Sequence, residues 1–163
     1  MLTIRNETPA DYRVVEELTR RAFWNQHVPG CNEHYLAHIL RGSGDFLPEL
    51  DFVAELDGAI VGNIMYTRSK LNVEDGEEKN ILTFGPLSVN PEYQRRGIGK
   101  ALLVRELKPG ALAGKNWIFE ESSAYEIDEA AAEAFDAEFP PMEKGWQPSQ
   151  ELFAIYSRSM VVR

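Results

Sequence analysis

A predicted strand that runs into a turn with two glycines, and then into a helix, constrains this chain more than any other feature. Leu87-Ser88-Val89 ends the strand, Gln94 to Gly99 form the turn, and the helix is predicted to reach about Leu107. The first turn of a helix leaves N–H groups unpaired and carries partial positive charge. Gly97 and Gly99 lack side chains, so phosphate oxygens can approach closely. Counter-charge comes from Arg95, Arg96 and Lys100. The turn therefore predicts a pyrophosphate site.

Two better-known glycine loops do not fit this segment. The dinucleotide fingerprint needs three glycines directly after the first strand of a βαβ unit, whereas two glycines follow a predicted antiparallel meander here. The Walker loop needs Gly-Lys followed by Ser or Thr, and this chain has Gly99-Lys100-Ala101. A helix that merely begins on a glycine is the plainer interpretation. The glutamine three residues before the first glycine, the paired arginines and the preceding Gly-Pro-Leu-Ser-Val strand favour the phosphate site instead.

Gln94-Arg95-Arg96-Gly97-Ile98-Gly99 resembles the acetyl-CoA signature Q/R-x-x-G-x-G/A of the GCN5-related N-acetyltransferases. The predicted order over residues 1–107, a strand, two helices, a meander and the signature helix, is similar to that family's order. The resemblance implies an α/β (α+β) fold of the acyl-CoA N-acyltransferase type, with a mixed, mainly antiparallel central sheet flanked by helices. It also implies direct transfer of an acetyl group from acetyl-CoA to an amine, with no metal and no covalent enzyme intermediate.

The same resemblance assigns the cofactor-binding residues. Backbone groups of Leu87 to Val89 are expected to meet the pantetheine arm, and Arg95 to Gly99 to hold the pyrophosphate. The full predicted set is Leu87, Ser88, Val89, Gln94, Arg95, Arg96, Gly97, Ile98, Gly99 and Lys100.

The whole chain, residues 1–163, is predicted to form one domain, with a core over residues 1–107 and a C-terminal strand, acidic helix and strand over residues 108–163. Thr8 and Pro9 are a good cap and first residue for the first helix. Gly85-Pro86 interrupts the last meander strand, and we expect a bulge there because proline cannot donate to a ladder. The predicted strands are Leu2–Arg5, Phe52–Leu56, Ala59–Arg68, Asn80–Val89, Asn116–Glu120 and Leu152–Val162, and the later helices are Asn32–Arg41 and Asp128–Phe139.

The chain departs from the family pattern after Ala101. The family continues with a strand and a helix, whereas Lys108-Pro109-Gly110 interrupts this chain about ten residues after the signature. In a compact interpretation, Asn116–Glu120 is the family's next strand and Gly145-Trp146 replaces its Gly-Phe turn. In a shortened interpretation, the family's strand–helix block is absent after Ala101. Pro109 favours this interpretation, because the compact one would place Pro109-Gly110 in the middle of a helix.

Catalytic residues are not fixed by the sequence. The attacking amine must lose a proton, and the CoA thiolate must gain one. Tyr125 and Tyr156 are candidate acids and Glu120, with Glu121 beside it, a candidate base, although a packing role for the tyrosines and a solvated surface for the glutamates are the plainer interpretations. Trp24 and His27 precede a Pro-Gly break and are candidates for the acceptor groove.

Three potential metal ligands, Cys31, His34 and His38, share one predicted helical face. Zinc uses such residues, but the sequence offers no evident fourth ligand. We therefore predict no metal site.

Charge and composition limit the function classes. The net charge is −9, and residues 120–143 hold nine acids and no Lys, Arg or His, so one segment carries the whole excess. This argues against nucleic-acid binding, which needs a basic surface. No apolar run is long enough to span a membrane, the N-terminus does not resemble a signal peptide, and the single cysteine fits a reducing cytoplasm.

Three functional hypotheses remain at this stage. The first is an N-acetyltransferase for a small amine or an amino terminus, the second a non-catalytic acyl-CoA-binding module, and the third a site for another phosphate-containing ligand. If the strand–helix block is absent, Asn80–Val89 ends the sheet, and an open edge favours pairing with another strand. The sequence thus predicts a homodimer whose C-terminal strands complete the sheet.

Overall fold

The computed structural model describes residues 1–72, 76, 78–102, 118–120 and 122–159, with the backbone alone described at 118–120 and 156–159. Its core is an antiparallel sheet in the order β1-β2-β3-β4, and a short strand β5 pairs with β3. The strands are β1 (Leu2–Asn6), β2 (Phe52–Leu56), β3 (Ala59–Asn72), β4 (Glu78–Val89) and β5 (Ile118–Glu120). The predicted mainly antiparallel sheet is confirmed, and β3 and β4 form a hairpin longer than the sequence indicated.

A bulge interrupts the pairing of β3 with β4. Ile64 pairs with Leu87 and Tyr66 with Phe84, so Gly85 and Pro86 both lie opposite one residue. The bulge predicted from Gly85-Pro86 is confirmed, and the peptide bond between the two residues is cis.

Helices cover both faces of the sheet. They are α1 (Tyr12–Phe23), α2 (Glu33–Leu40), α3 (Ile98–Leu102), α4 (Glu129–Asp136) and α5 (Pro148–Ser159). Ile98 and Leu102 of α3 pack on Ile64 and Tyr66. Met65 instead packs with α2. Because neighbouring strand residues point to opposite faces, α3 and α2 lie on opposite sides of the sheet. Among the described residues, no helix has the length and apolarity to cross a membrane.

The first helix begins at Tyr12, later than the predicted cap at Thr8. The Asp11 carboxylate accepts hydrogen bonds from the N–H and hydroxyl of Thr8 and from the Arg5 guanidinium. These bonds, with the Asp11 N–H donated to the Thr8 carbonyl, hold residues 8–11 in a turn. Thr8 therefore stabilises a turn that joins β1 to α1 and does not cap the helix.

The predicted final strand, Leu152–Val162, is wrong: residues 148–159 form α5, and residues 160–162 lie outside the described part. Pro148 occupies the first helical position, where its missing N–H costs nothing. The Gln150 side chain then donates to the carbonyls of Asn25 and Gly145, which fixes the first turn against the loop after α1.

The strand predicted at Asn116–Glu120 is described at Ile118–Glu120, as β5. It pairs with Lys70 to Asn72 of β3. The other edge of those residues is taken by β4, so β5 does not lie beside Val89 as the compact interpretation requires. Within the described residues, β4 has no strand on its outer side. The signature helix beyond Leu102 and the Lys108-Pro109-Gly110 break lie outside the described part.

Candidate functional site

The turn after β4 is built by local hydrogen bonds. The Asn90 side chain accepts from the Glu92 N–H and so caps a short 3₁₀ turn, Pro91–Tyr93. The Gln94 side chain then donates to the Val89 carbonyl at 3.1 Å. Arg95 and Gly97 adopt positive φ angles of 61° and 84°, which turn the chain into α3. Gly97 thus adopts a left-handed backbone conformation that most other residues would adopt only with strain.

Gly99 has a different reason to be glycine. Its φ is not positive, and an added Cβ would meet only Val89 Cγ2 at 3.7 Å and Leu87 Cδ2 at 4.0 Å. Both distances are those of ordinary contact, so neither strain nor packing within the described chain demands a glycine. The N–H groups of Gly97, Ile98 and Gly99 have no carbonyl partner among the described residues. They are available to an anion.

The outer edge of β4 presents further backbone groups. The Asn90 N–H donates to the Val61 carbonyl of β3, and backbone direction alternates along an antiparallel strand. Ser88 therefore faces β3, while the N–H and C=O groups of Leu87 and Val89 face outward. The Ser88 side chain is buried and donates to Thr19 Oγ1 at 2.9 Å. Of the three predicted strand residues, Leu87 and Val89 are the two with outward backbone groups.

A cavity of about 350 Å³, the edge groove, joins this edge to the turn. Its walls come from β4 and the turn on one side, and from the end of α1 and the following loop on the other. The lining residues are Leu87, Val89, Gln94, Gly99, Ala22, Phe23, Gln26 and His27. The structure therefore brings four predicted cofactor residues together with one predicted acceptor-groove residue.

The other predicted cofactor residues surround this groove differently. Ile98 is buried, with 4% of its surface exposed, and anchors α3 in the core. Arg95, Arg96 and Lys100 are exposed beside the turn. The Arg96 guanidinium lies 5.2 Å from the centre of the Tyr93 ring. Three cationic side chains thus flank the open N–H groups.

Asn25 organises the loop that carries His27. Its φ is 59°, and its N–H donates to the Gly30 carbonyl. Its side-chain oxygen accepts from the N–H groups of Gly30 and Gly145, and its amide donates to the Glu143 carbonyl. The loop is therefore tied both to itself and to the C-terminal segment.

His27 has defined partners within that loop. Its Nδ1 lies 3.0 Å from Glu33 Oε1, at the start of α2. Its ring stacks on Phe153 of α5, with centroids 4.5 Å apart and planes 20° apart. Trp24, the other predicted acceptor-groove residue, is only 8% exposed and donates its indole N–H to the Glu143 carbonyl. Trp24 therefore does not line the edge groove.

Tyr125 reaches the β4 bulge from the α2 side. Its hydroxyl donates to the Gly85 carbonyl at 3.3 Å and accepts from Thr67 Oγ1 at 3.2 Å. It also lines a second, larger cavity of about 610 Å³ beside Asp45 and Arg68, which no sequence motif indicates. The side chains of Tyr156 and Glu120, like Glu121, lie outside the described part.

The three potential metal ligands are used in other ways. Burial raises the pKa of the Cys31 thiol to about 12 and lowers the pKa of His34 to about 4. Cys31 Sγ and His34 Nδ1 are 3.5 Å apart, whereas His38 Nδ1 lies 2.9 Å from Glu16 Oε1. Within the described residues, no group of three His, Cys, Asp or Glu side chains is arranged to hold a metal ion.

Residues 49–135, more than half of the chain, match the family model described as Acetyltransferase (GNAT) domain. The chain belongs to the GNAT acetyltransferase family, as the signature indicated. A comparison with curated protein sequences finds no significant match.

Solved structures similar to this chain include a Brucella melitensis GNAT family acetyltransferase in complex with acetyl-CoA, at 30% identity, a TM-score of 0.49, and 63% of each chain covered. Another is the Escherichia coli ribosomal-protein-S18-alanine N-acetyltransferase, at 24% identity, a TM-score of 0.43, and 63% of this chain and 54% of that chain covered. A third is the Thermoplasma acidophilum PaiA N-acetyltransferase in complex with coenzyme A, at 19% identity, a TM-score of 0.41, and 63% and 67% covered. The match spans less than two thirds of the first two of these proteins.

Proposed function

We propose that this protein is an N-acetyltransferase that transfers an acetyl group from acetyl-CoA to a primary amine of a small molecule or peptide. Membership of the GNAT family supports acyl transfer in general. The observation that carries the cofactor assignment is the turn at Gly97 to Gly99, where N–H groups lack a carbonyl partner among the described residues and where neither backbone strain nor packing in that part of the chain requires Gly99 to be a glycine. Relatives solved with acetyl-CoA or coenzyme A are consistent with this assignment.

The chain's own groups suit the parts of acetyl-CoA. The open N–H groups from Gly97 to Gly99 would bind the pyrophosphate, with Arg95, Arg96 and Lys100 supplying counter-charge. The outward N–H and C=O groups of Leu87, together with the Val89 N–H, would pair with the amides of the pantetheine arm. The Gln94 amide keeps the Val89 carbonyl satisfied and closes the end of the groove.

The second candidate is a non-catalytic module that binds acyl-CoA. One observation favours it: β5 lies on β3, so within the described residues no strand forms the second wall of the groove beside β4. Turnover separates the two candidates, because both predict cofactor binding.

Thermal denaturation with and without acetyl-CoA tests the site. Binding to the folded state raises the melting temperature by mass action. Gly99→Glu places bulk and negative charge in the open turn and should abolish this shift. Gly44→Glu is the matched control, because the space around Gly44 is open and its φ is not positive. Equal shifts in the wild type and Gly99→Glu would contradict the site. Release of CoA thiol in the presence of an amine panel then measures turnover.

The finer expectations from the sequence stay part of the proposal. We propose a cytoplasmic protein that needs no metal and does not bind nucleic acid, so transfer should survive prolonged chelation. We also propose a homodimer. Since residues 152–159 form a helix, the dimer would pair residues 78–84 of β4, on the other side of the bulge from Leu87, with a second copy. The outer edge of β4 has no strand among the described residues, and its Leu87 to Val89 part is left to acetyl-CoA. Light scattering at tens of micromolar tests this, and a strict monomer would contradict it.

A further inference from the structure

Transfer to an amine requires a group that accepts a proton as the new bond forms. Of the described residues that line the edge groove, His27 is the only one whose side chain is a base. The others are apolar residues, glutamines and a glycine.

Glu33 determines which imidazole nitrogen remains available. Its Oε1 lies 3.0 Å from His27 Nδ1, and its Oε2 accepts the Asn32 N–H at 3.1 Å. A carboxylate accepts hydrogen bonds, so the neutral imidazole carries its proton on Nδ1. The lone pair is then on Nε2, which has no hydrogen-bond partner among the described residues.

The ring orientation is held from two further directions. Phe153 of α5 stacks on the imidazole, and Phe23 of α1 approaches it with centroids 5.7 Å apart. The hydrogen bonds of Asn25 fix the loop itself. Among the described residues, the charged side chain in contact with the imidazole is that of Glu33. The contacts that α1 and α5 make with the imidazole come from the aromatic side chains of Phe23 and Phe153. An imidazole held by a carboxylate in this way is a pre-oriented base.

We propose that His27 is the general base of this protein and that Glu33 and Phe153 are positioning residues. This inference rests on the proposed acetyltransferase function. The neutral amine attacks the thioester carbonyl carbon, forming an N–C bond, while His27 Nε2 takes a proton from the amine. The C–S bond breaks, and the leaving CoA thiolate receives that proton from the imidazolium. The products are the N-acetylated amine and free CoA thiol, and His27 returns to its neutral form.

A comparison of two histidine variants tests the assignment. His27→Gln should lower kcat by about 10²–10⁴-fold, the usual contribution of a general base, while the thermal shift produced by acetyl-CoA remains. His38→Gln is the matched control, since His38 also contacts a glutamate but lies outside the edge groove. Its kcat should be within about twofold of wild type, well below the effect expected of a general base.

Two readouts separate chemistry from structure. Imidazole added to His27→Ala should restore part of the turnover, and Glu33→Gln should change the acidic limb of the pH–rate profile while acetyl-CoA binding is kept. Unchanged kcat in His27→Gln would overturn this inference alone. So would a loss of acetyl-CoA binding with kcat intact, which would make His27 a ligand-binding residue. Wild-type protein that binds acetyl-CoA but acetylates no amine would overturn the proposed transferase together with its base.

Discussion

At the scale of single residues, a cluster of buried charged side chains lies away from the edge groove. Arg41 donates to both carboxylate oxygens of Glu7 and also to Glu16. Asp51, 3% exposed, accepts from the Asn63 amide, and its backbone carbonyl accepts from the Glu7 N–H. Burial and the neighbouring Glu7 carboxylate raise the pKa of Asp51 above its ordinary value. The Arg41 guanidinium therefore donates to two of the three buried carboxyl groups, and a proton retained on Asp51 reduces its repulsion with Glu7.

This cluster predicts a pH dependence of stability. The folded protein holds a proton on Asp51 at pH values where the unfolded chain, with a pKa near 3.8, has lost it. Folding therefore takes up a proton above about pH 4, and the Asp51 contribution falls as the pH rises, by up to about 1.4 kcal/mol per pH unit. Asp51→Asn removes this slope. The free energy of unfolding of the variant, relative to that of the wild type, should therefore be higher at pH 8 than at pH 5. Urea unfolding across that range measures it, and parallel slopes in both proteins would contradict the assignment.

The residues of the candidate site differ in how far the sequence alone indicates them. Gln94 to Gly99 stood out because a glycine-containing motif needs only local sequence. His27 was named from its place beside a Pro-Gly break. Its partner Glu33 was missed, because their contact depends on the positive φ angles of Asn25 and Gly30, which the loop adopts to satisfy hydrogen bonds with distant residues. The periodicity of apolar residues along the sequence does not indicate a contact of this kind.

At the scale of elements, the signature helix depends on a glycine in the sheet below it. A Cβ at Gly62 of β3 would lie 3.1 Å from Ile98 Cγ2, from Leu102 Cδ1 and from the Ser88 carbonyl oxygen. The side chains can shift, but the carbonyl belongs to the paired β4 backbone. Gly62 therefore allows α3 to sit close to the sheet, which places the turn beside the strand edge.

Gly62→Ala should destabilise the protein by about 1–3 kcal/mol, the usual cost of overpacking a core. It should also weaken acetyl-CoA binding, because α3 must move away from β4. Gly44→Ala is the control: an added Cβ there meets nothing within 4 Å, and φ is not positive. Chemical denaturation and the acetyl-CoA thermal shift report the two effects. A stable Gly62→Ala protein with unchanged binding would show that α3 is not seated in this way.

Element prediction succeeded where turn signals bounded the strands and failed at the C-terminal element. The meander strands carried clear turn signals, and β2 occupies the predicted Phe52–Leu56. Leu152-Phe153-Ala154-Ile155 is a brief apolar run, which strand and helix share. The helix is favoured there by contacts with the loop after α1, through Gln150 and Phe153. Those contacts join residues more than 100 positions apart, so no local window contains them.

At the scale of the whole molecule, the acidic C-terminal segment is docked as well as solvated. Arg20 of α1, whose side chain is 4% exposed, donates to Asp136 Oδ1 at 2.6 Å and to the Pro140 carbonyl. Arg13 contacts Glu138 and lies 3.6 Å from the centre of the Phe139 ring. The acidic segment thus includes side chains that hold α4 against α1. Residues 143–145 in turn bind the loop that carries His27.

Asp136→Ala should be among the most damaging substitutions outside the edge groove. It leaves the buried Arg20 guanidinium without its carboxylate, and breaking one side of a buried pair costs about 3–5 kcal/mol. The exposed Glu133 on the same helix, 3.8 Å from Lys144, is the control, and Glu133→Ala should cost less than about 1 kcal/mol. Urea unfolding measures both. Because Arg20 also stacks on Trp24, whose indole binds the Glu143 carbonyl, Asp136→Ala should also loosen the His27 loop and lower turnover. Similar losses of stability in the two variants would show that the C-terminal segment is not held by this pair.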